Sequence, residues 1–399
     1  MISKRVSKRL ASMTESATLA MAKKSRALKA QGIDVVDMSL GEPDFDTPDY
    51  IKNAAKKALD EGFTSYTPVV GYLDLRNAIC KKFERDNALH FSPEQIVVST
   101  GAKQSLANLM MALLNEGDEV LIPSPFWVSY SEMVKLGDAN PVFVYSSIEN
   151  DFKVTAEQVK QAITPKTRMF LFSSPCNPSG SVYSYEELQA IANVLSQHDI
   201  IIVSDEIYEH INFSGKPHVS IGAFENVKDQ TVTVNGLSKA FAMTGWRLGY
   251  IGAPLWIAQA CDKIQGQITS GTNSIAQRAA ITALGDDISP TRNMVKKFHE
   301  RRDLIVSLFQ QIPNVKCNNP EGAFYIFPDI SAFFGKRFNG KEIKDADELS
   351  IYLLEESHVS TVSGAAFGNP ECIRLSYATS NEKIILAAER IKNALALLS

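Results

Sequence analysis

The chain has 399 residues, 45% of them apolar, with a formal net charge of −4 and a pI near 6.0. That length exceeds the roughly 250–300 residues at which single cores stop growing, so two lobes are expected, and the weakly acidic balance argues against nucleic acid as a partner. No apolar run approaches the ~18 residues of a bilayer span, so no membrane role is expected, and five scattered cysteines without a C-x-x-C favour a reducing, cytoplasmic setting.

The N-terminus, MISKRVSKRLASMTES, is basic, with no acid before Glu15. It reads as an arm of the mature chain; a transit peptide is the alternative. It runs into LAMAKKSRALKAQG, which predicts an amphipathic helix stopped at Gly32. From about residue 95 to 253, short apolar runs alternate with helical patterns. QIVVST precedes GAKQSLANLMMALLN, where Leu106, Leu109, Met110, Leu113 and Leu114 follow helical spacing. DEVLIP, PVFVYS, RMFLFSS, DIIIVSDE, QTVTVNG and GYIGAP follow, mostly with helices between them. Continuous apolar strands separated by helices predict an α/β fold with a largely parallel sheet buried on both faces. In the C-terminal third, GAFYIFPDI and CIRLSYAT alternate like strands, and helices are expected near 291–311, 346–357 and 381–398. This predicts a smaller α+β lobe, joined by the N-terminal arm.

Ligands of open α/β sheets sit beyond the carboxyl ends of the strands. Those ends carry Gly101-Ala102-Lys103, then Phe126 and Trp127, then Cys176-Asn177-Pro178, then Asp205 and Tyr208, then Lys239. Each alone is open to a plainer reading: a turn for Asn177, a helix cap for Asp205, packing for Trp127 and Tyr208. Lys239 stands among Leu237, Ala240, Phe241 and Ala242 at the head of a short helical stretch. Such surroundings disfavour an ammonium and favour a neutral amine able to form a Schiff base, although a helix-start lysine facing solvent is as compatible with the spacing. Asp205 is suited to hold a protonated pyridine nitrogen. Asn177 and Tyr208 are suited to a phenolate oxygen on the same ring, and Trp127 to its face. Gly101 and Ala102 open a helix as an anion site requires; Arg247 offers a guanidinium fork and Ser238 a hydroxyl.

SSPCNPSG, SDEIYEH and NGLSKAFAMTGWRLGY resemble the signature blocks of class I pyridoxal-phosphate aminotransferases. LGEPDFDTP, YTPVVGYLDLR, STGAKQ, EGAFYIF and IRLSYATS extend the resemblance, in order, over nearly the whole chain. It is greatest to the bacterial-type aspartate aminotransferases of that class. The resemblance implies a fold type I architecture, with a seven-stranded sheet in a large domain at 46–290 and a small domain from 1–45 and 291–399. It implies a homodimer, with pyridoxal 5′-phosphate held by Lys239 and Tyr66 reaching the phosphate of the neighbouring subunit. Gly41 would line the substrate site, and Arg374, assisted by Asn177, would bind the α-carboxylate. The expected reaction moves the amino group of L-aspartate, or another amino acid, to 2-oxoglutarate, with Lys239 as proton carrier and Asp205 and Tyr208 supporting the ring.

In that subgroup the distal carboxylate is ascribed to Lys103 and to an S-x-T of the arm, here Ser16 and Thr18. The arm reads TESAT where KPSAT is usual, which sets Glu15 near an acidic substrate. Aromatic, alanine-type and prephenate specificity therefore stay open, as does a C–S lyase of the same fold. A cofactor-binding regulator is disfavoured, because the chain has no room for a DNA-binding domain. GKRFNGKE, residues 335 to 342, has P-loop spacing but ends in Glu342 where a hydroxyl is needed, and DEIYEH lacks a second histidine for a zinc site, so no metal is expected.

Overall fold

The computed structural model describes residues 6–285 and 287–399. The first five residues of the basic N-terminus, on which the choice between arm and transit peptide turns, lie outside this range. The central sheet has seven strands: β1 Ile96–Ser99, β2 Glu119–Ser124, β3 Asn140–Tyr145, β4 Thr167–Ser173, β5 Ile201–Asp205, β6 Thr231–Gly236 and β7 Gly249–Gly252. Their spatial order is β1-β7-β6-β5-β4-β2-β3. All neighbours are parallel except β7, which runs antiparallel to both β1 and β6.

Every residue of β1, β5, β6 and β7 is buried. This is the physical content of the near-continuous apolar runs of β1, β5 and β7, with helices over both faces; in β6 threonine alternates with valine, and Thr231 and Thr233 are buried as well. In β4, Met169 and Leu171 join one core with Leu106, Leu109 and Ile257, while Phe170 and Phe172 join another with Leu188, Ile191 and Leu195. The pleat thus sends successive side chains to opposite faces. β3 lies at the sheet edge and keeps Asn140 and Tyr145 exposed.

The arm helix runs Ala17–Ala30 and ends before Gly32, whose φ of +84° suits only glycine. Beyond it, Val36–Asp37 pairs in parallel with Val359–Ser360. Val36 and Met38 share a core with Phe298, Phe309, Ile326, Leu375 and Ile391. The expected C-terminal helices occur at Ser289–Phe309, Ala346–Glu356 and Asn381–Ala396. Tyr325–Ile326, Ile373–Ser376 and Val362–Ser363 form a small antiparallel sheet. The P-loop-like segment is a short hairpin, Arg337–Phe338 against Lys341–Glu342. No helix among the described residues is long and apolar enough to cross a membrane.

Candidate active site

A cleft of about 380 Å³ opens where the carboxyl ends of the parallel strands face the small antiparallel sheet. It is lined by Asp205 and Tyr208 after β5, Ser238 and Lys239 after β6, Ala102 and Lys103 after β1, and Trp127 after β2. Asn177, Arg247, Arg374, Gly41, Ser16 and Thr18 complete the expected set. Two expected residues stand apart. Gly101 caps the helix Ala102–Leu113 from behind the wall. Tyr66 is 99% exposed and does not line the cleft within one chain.

Lys239 follows directly on β6. Its surroundings are a pair of overlapping turns closed by Phe241 N–H to Leu237 and Met243 N–H to Ser238, not the short helix expected from its small neighbours. A turn lets the side chain leave the sheet edge and enter the cleft. Its Nζ donates to the Gly41 carbonyl at 2.6 Å and lies within 6 Å of the Tyr208 and Phe324 rings. One side of the residue meets the open cleft, yet burial, reinforced by Arg374, lowers its pKa from 10.5 to about 8. Desolvation disfavours the ammonium, and a second cation adds to the effect.

Asp205 is buried at the end of β5 and no helix follows it, which removes the cap reading. Burial raises its pKa to about 6; hydrogen bonds from the Tyr130 hydroxyl (2.7 Å) and the Ile207 N–H (3.2 Å) oppose the rise. The carboxylate therefore persists at neutral pH in a place where a cationic partner would stabilise it further.

Arg374 is 1% exposed, and its guanidinium donates to Asn177 Oδ1 at 3.0 Å and to the Ser39 carbonyl. Its Nε is buried without a protein partner, and the plane rests on the Tyr325 ring at 4.5 Å. Burial, the leading cause, lowers its pKa. Although a charged residue on a strand usually faces solvent, this arginine is interior. Lys103 sits 4.8 Å from the Trp127 ring, its pKa lowered by burial and then by Arg247. Glu15 is exposed on the arm and lines an adjoining groove, not the cleft that holds Ser16 and Thr18.

The helix start after β1 has the shape an anion cradle needs. Gly101 has φ +86°, and a Cβ there would meet the Arg247 guanidinium. A Cβ on Gly249 would overlap the Ala102 N–H. Two glycines thus bring bare amides and a guanidinium together, as a phosphate requires.

Sequence reasoning missed Tyr130, Ser173 and Tyr325, which also line the cleft. Tyr130 is three residues beyond Trp127, so a helix start after β2 would have turned both inward. Tyr325 lies inside EGAFYIF, but nothing local separates it from the aromatic residues on either side.

The family model for class I and II aminotransferases matches residues 33–391. An aspartate/prephenate aminotransferase of Cereibacter sphaeroides is 47% identical over 393 residues, covering 98% of each chain. Among solved structures, the aspartate aminotransferase of Rhizobium meliloti superposes with a TM-score of 0.96 at 41% identity, covering all of both chains. That of Thermus thermophilus with maleate gives 0.92 at 40% identity, covering 98% of this chain and all of that one. With matches of this extent over the same strands, turns and cleft, the chain belongs to the class I and II aminotransferase family.

Proposed function

We propose that this protein is an aspartate aminotransferase that uses pyridoxal 5′-phosphate and passes the amino group to 2-oxoglutarate. The observation that carries the reading is the convergence of Lys239, Asp205 and Arg374 in one cleft. The residues fit the cofactor. The glycine cradle with Arg247 and Ser238 suits its phosphate, Asp205 its ring nitrogen, Asn177 and Tyr208 its phenolic oxygen, and Trp127 its face. Lys239 suits its aldehyde. When bound, this cofactor supplies an electron sink that acidifies the Cα–H of an amino acid.

The chain's own residues do the rest. Arg374 grips the α-carboxylate as a planar fork, and its unpartnered Nε adds a donor. That grip turns Cα–H toward Lys239. Lys239, its pKa drawn down to about 8, has a neutral fraction able to take that proton at Nζ and hold it within the cleft. Asp205 keeps the opposite end of the ring site negative throughout. Lys103, Ser16 and Thr18 line the same cleft and suit a distal carboxylate. The Thermus structure's maleate, a dicarboxylate, supports an acidic substrate.

Further support comes from chain organisation. The shared core of residues 36 and 38 with the C-terminal third fits a division into 46–290 against 1–45 plus 291–399. The exposed Tyr66 fits a role at a neighbouring subunit in a homodimer. Five free cysteines fit a cytoplasmic setting.

The test is a donor panel. The cofactor-loaded protein is mixed with aspartate, glutamate, alanine and phenylalanine, without acceptor, and its absorbance followed. Aspartate should convert it fastest, and 2-oxoglutarate should reverse the change. Prephenate belongs among the acceptors, because the Cereibacter relative's name includes it. Release of ammonia and pyruvate from a single substrate would instead mark a lyase.

A further inference from the structure

Tyr325 is fully buried, lines the cleft and touches three parts of it at once. Its hydroxyl lies 2.7 Å from the Tyr208 hydroxyl. Its ring carries the Arg374 guanidinium at 4.5 Å. A Cβ on Gly41 would overlap its hydroxyl, so the backbone that accepts from Lys239 presses on the same phenol. These contacts are fixed by register: Tyr325 pairs with Ser376, and Arg374 sits two residues earlier on that strand.

We propose that Tyr325 is a positioning residue for the reaction, donating its hydroxyl proton to Tyr208 while its ring supports Arg374. The inference rests on the aminotransferase reading and adds to it the residue that aims the Tyr208 phenol. Two phenols facing each other share one hydrogen bond, and either oxygen can donate. Burial pushes both phenols up and the Arg374 charge opposes the rise in both, as the next effect for Tyr325 but for Tyr208 only after the two contributions of Tyr325. Arg374 lies 4.5 Å from the Tyr325 ring, whereas the nearest cation to the Tyr208 ring, Lys239, is 5.7 Å away, which makes Tyr325 the better donor. Tyr208 then accepts from Tyr325, and its own proton is free to point into the cleft. The ring beneath Arg374 and the hydroxyl beside Tyr208 are separable by substitution, which makes the two roles testable.

The experiment uses Tyr208→Phe, Tyr325→Phe, the double variant and Tyr325→Leu, each with its melting temperature measured. The readouts are the pyridoxal 5′-phosphate dissociation constant and kcat and KM for aspartate. A single net hydrogen bond is worth about 5- to 10-fold. Tyr325→Phe should weaken cofactor binding and lower kcat by about that factor while leaving KM within about twofold. In the Tyr208→Phe background it should add nothing, since the bond is already gone. Tyr325→Leu should also raise KM, because the guanidinium loses its platform. Equal losses from Tyr325→Phe in both backgrounds, no loss at all, or a change confined to KM would overturn the proposal. A wild-type protein that neither binds the cofactor nor transaminates aspartate would instead sink the functional reading.

Discussion

At Lys239 the proposed nucleophile is a lysine whose charged form is poorly solvated. With a pKa of about 8 against 10.5, roughly a tenth of the amine is neutral at pH 7, where an unperturbed lysine would have about 1 in 3,000. The rate at which cofactor-free protein captures pyridoxal 5′-phosphate should therefore rise with pH through a midpoint near 8 and level off above it. Arg374 contributes to the shift, so Arg374→Leu should move that midpoint upward. A midpoint that stays above 10 in the wild type would show the amine to be solvated. Lys103 invites a second test at the same scale. Its ammonium stands over Trp127 in the cleft, 4.8 Å from the ring. If it pairs with a distal carboxylate, Lys103→Ala should cut kcat/KM for aspartate and glutamate by about one to two orders of magnitude. Alanine and phenylalanine should be unaffected or improve, because they bring no charge to pair. Equal losses for all four donors, with weaker cofactor binding, would assign Lys103 to the phosphate.

At the scale of elements, the segment after β5 faces two ways. Asp205 and Tyr208 look into the cleft, whereas Glu206 and Glu209 enter a buried polar cluster behind it. There Lys82, on the helix Leu73–Asn87, pairs with Glu209 and donates to Asn87 Oδ1 at 2.6 Å. Asn87 in turn donates to both glutamates, and His218 meets Glu206 at 3.0 Å. Burial alone would push Glu209 up, but Lys82, His210 and His218 outweigh it and hold the carboxyl at about 2. Its folded pKa lies below its unfolded one, so this stabilisation is fully present above about pH 4.5, declines as pH falls below that value and is gone once pH has fallen through about 2. Lys82→Met would leave the carboxylate buried without its ammonium, with Asn87 and the two histidines as its remaining partners, at a cost of up to roughly 3–5 kcal/mol. The carboxyl's pKa would then be raised, so the sign reverses: the variant should lose most near pH 7 and recover part of the deficit near pH 4. Denaturant titrations at the two pH values check this, and an equal deficit at both would exclude the charge as its cause.

At the scale of the molecule, the cleft is assembled from both ends of the chain. Arg374 and Tyr325 come from the C-terminal third, Ser39 and Gly41 from the N-terminal segment, and Lys239 and Asp205 from the sheet. Tyr66, almost wholly exposed, stands outside it. If Tyr66 completes the site of a second subunit, Tyr66→Phe and Arg374→Ala should complement. Mixed dimers then hold one site with both lesions and one with neither. Subunit exchange between the two impaired variants should restore up to about half of the activity of an intact dimer per hybrid, by site counting. Activity that stays at the average of the two parents would argue against a shared site.

The sequence by itself determined the layered sheet. Short apolar runs such as IIIVSD, too short for helices and set between helical patterns, point to strands buried on both faces. The strand ends were legible for the same reason: a small, charged or amide residue directly after such a run has to emerge at one edge. The order of the strands, the reversed direction of β7 and the turn that carries Lys239 were not legible, since they depend on contacts between segments far apart in the chain. Local propensity favours a helix through Lys239-Ala240-Phe241-Ala242, yet packing of Leu237, Ala240 and Phe241 beneath the sheet edge enforces turns. The positions of Glu15, Tyr130 and Tyr325 were decided in the same way. Each lies in a stretch whose pattern is shared by several neighbours, and only the folded packing selects which side chain faces the cleft.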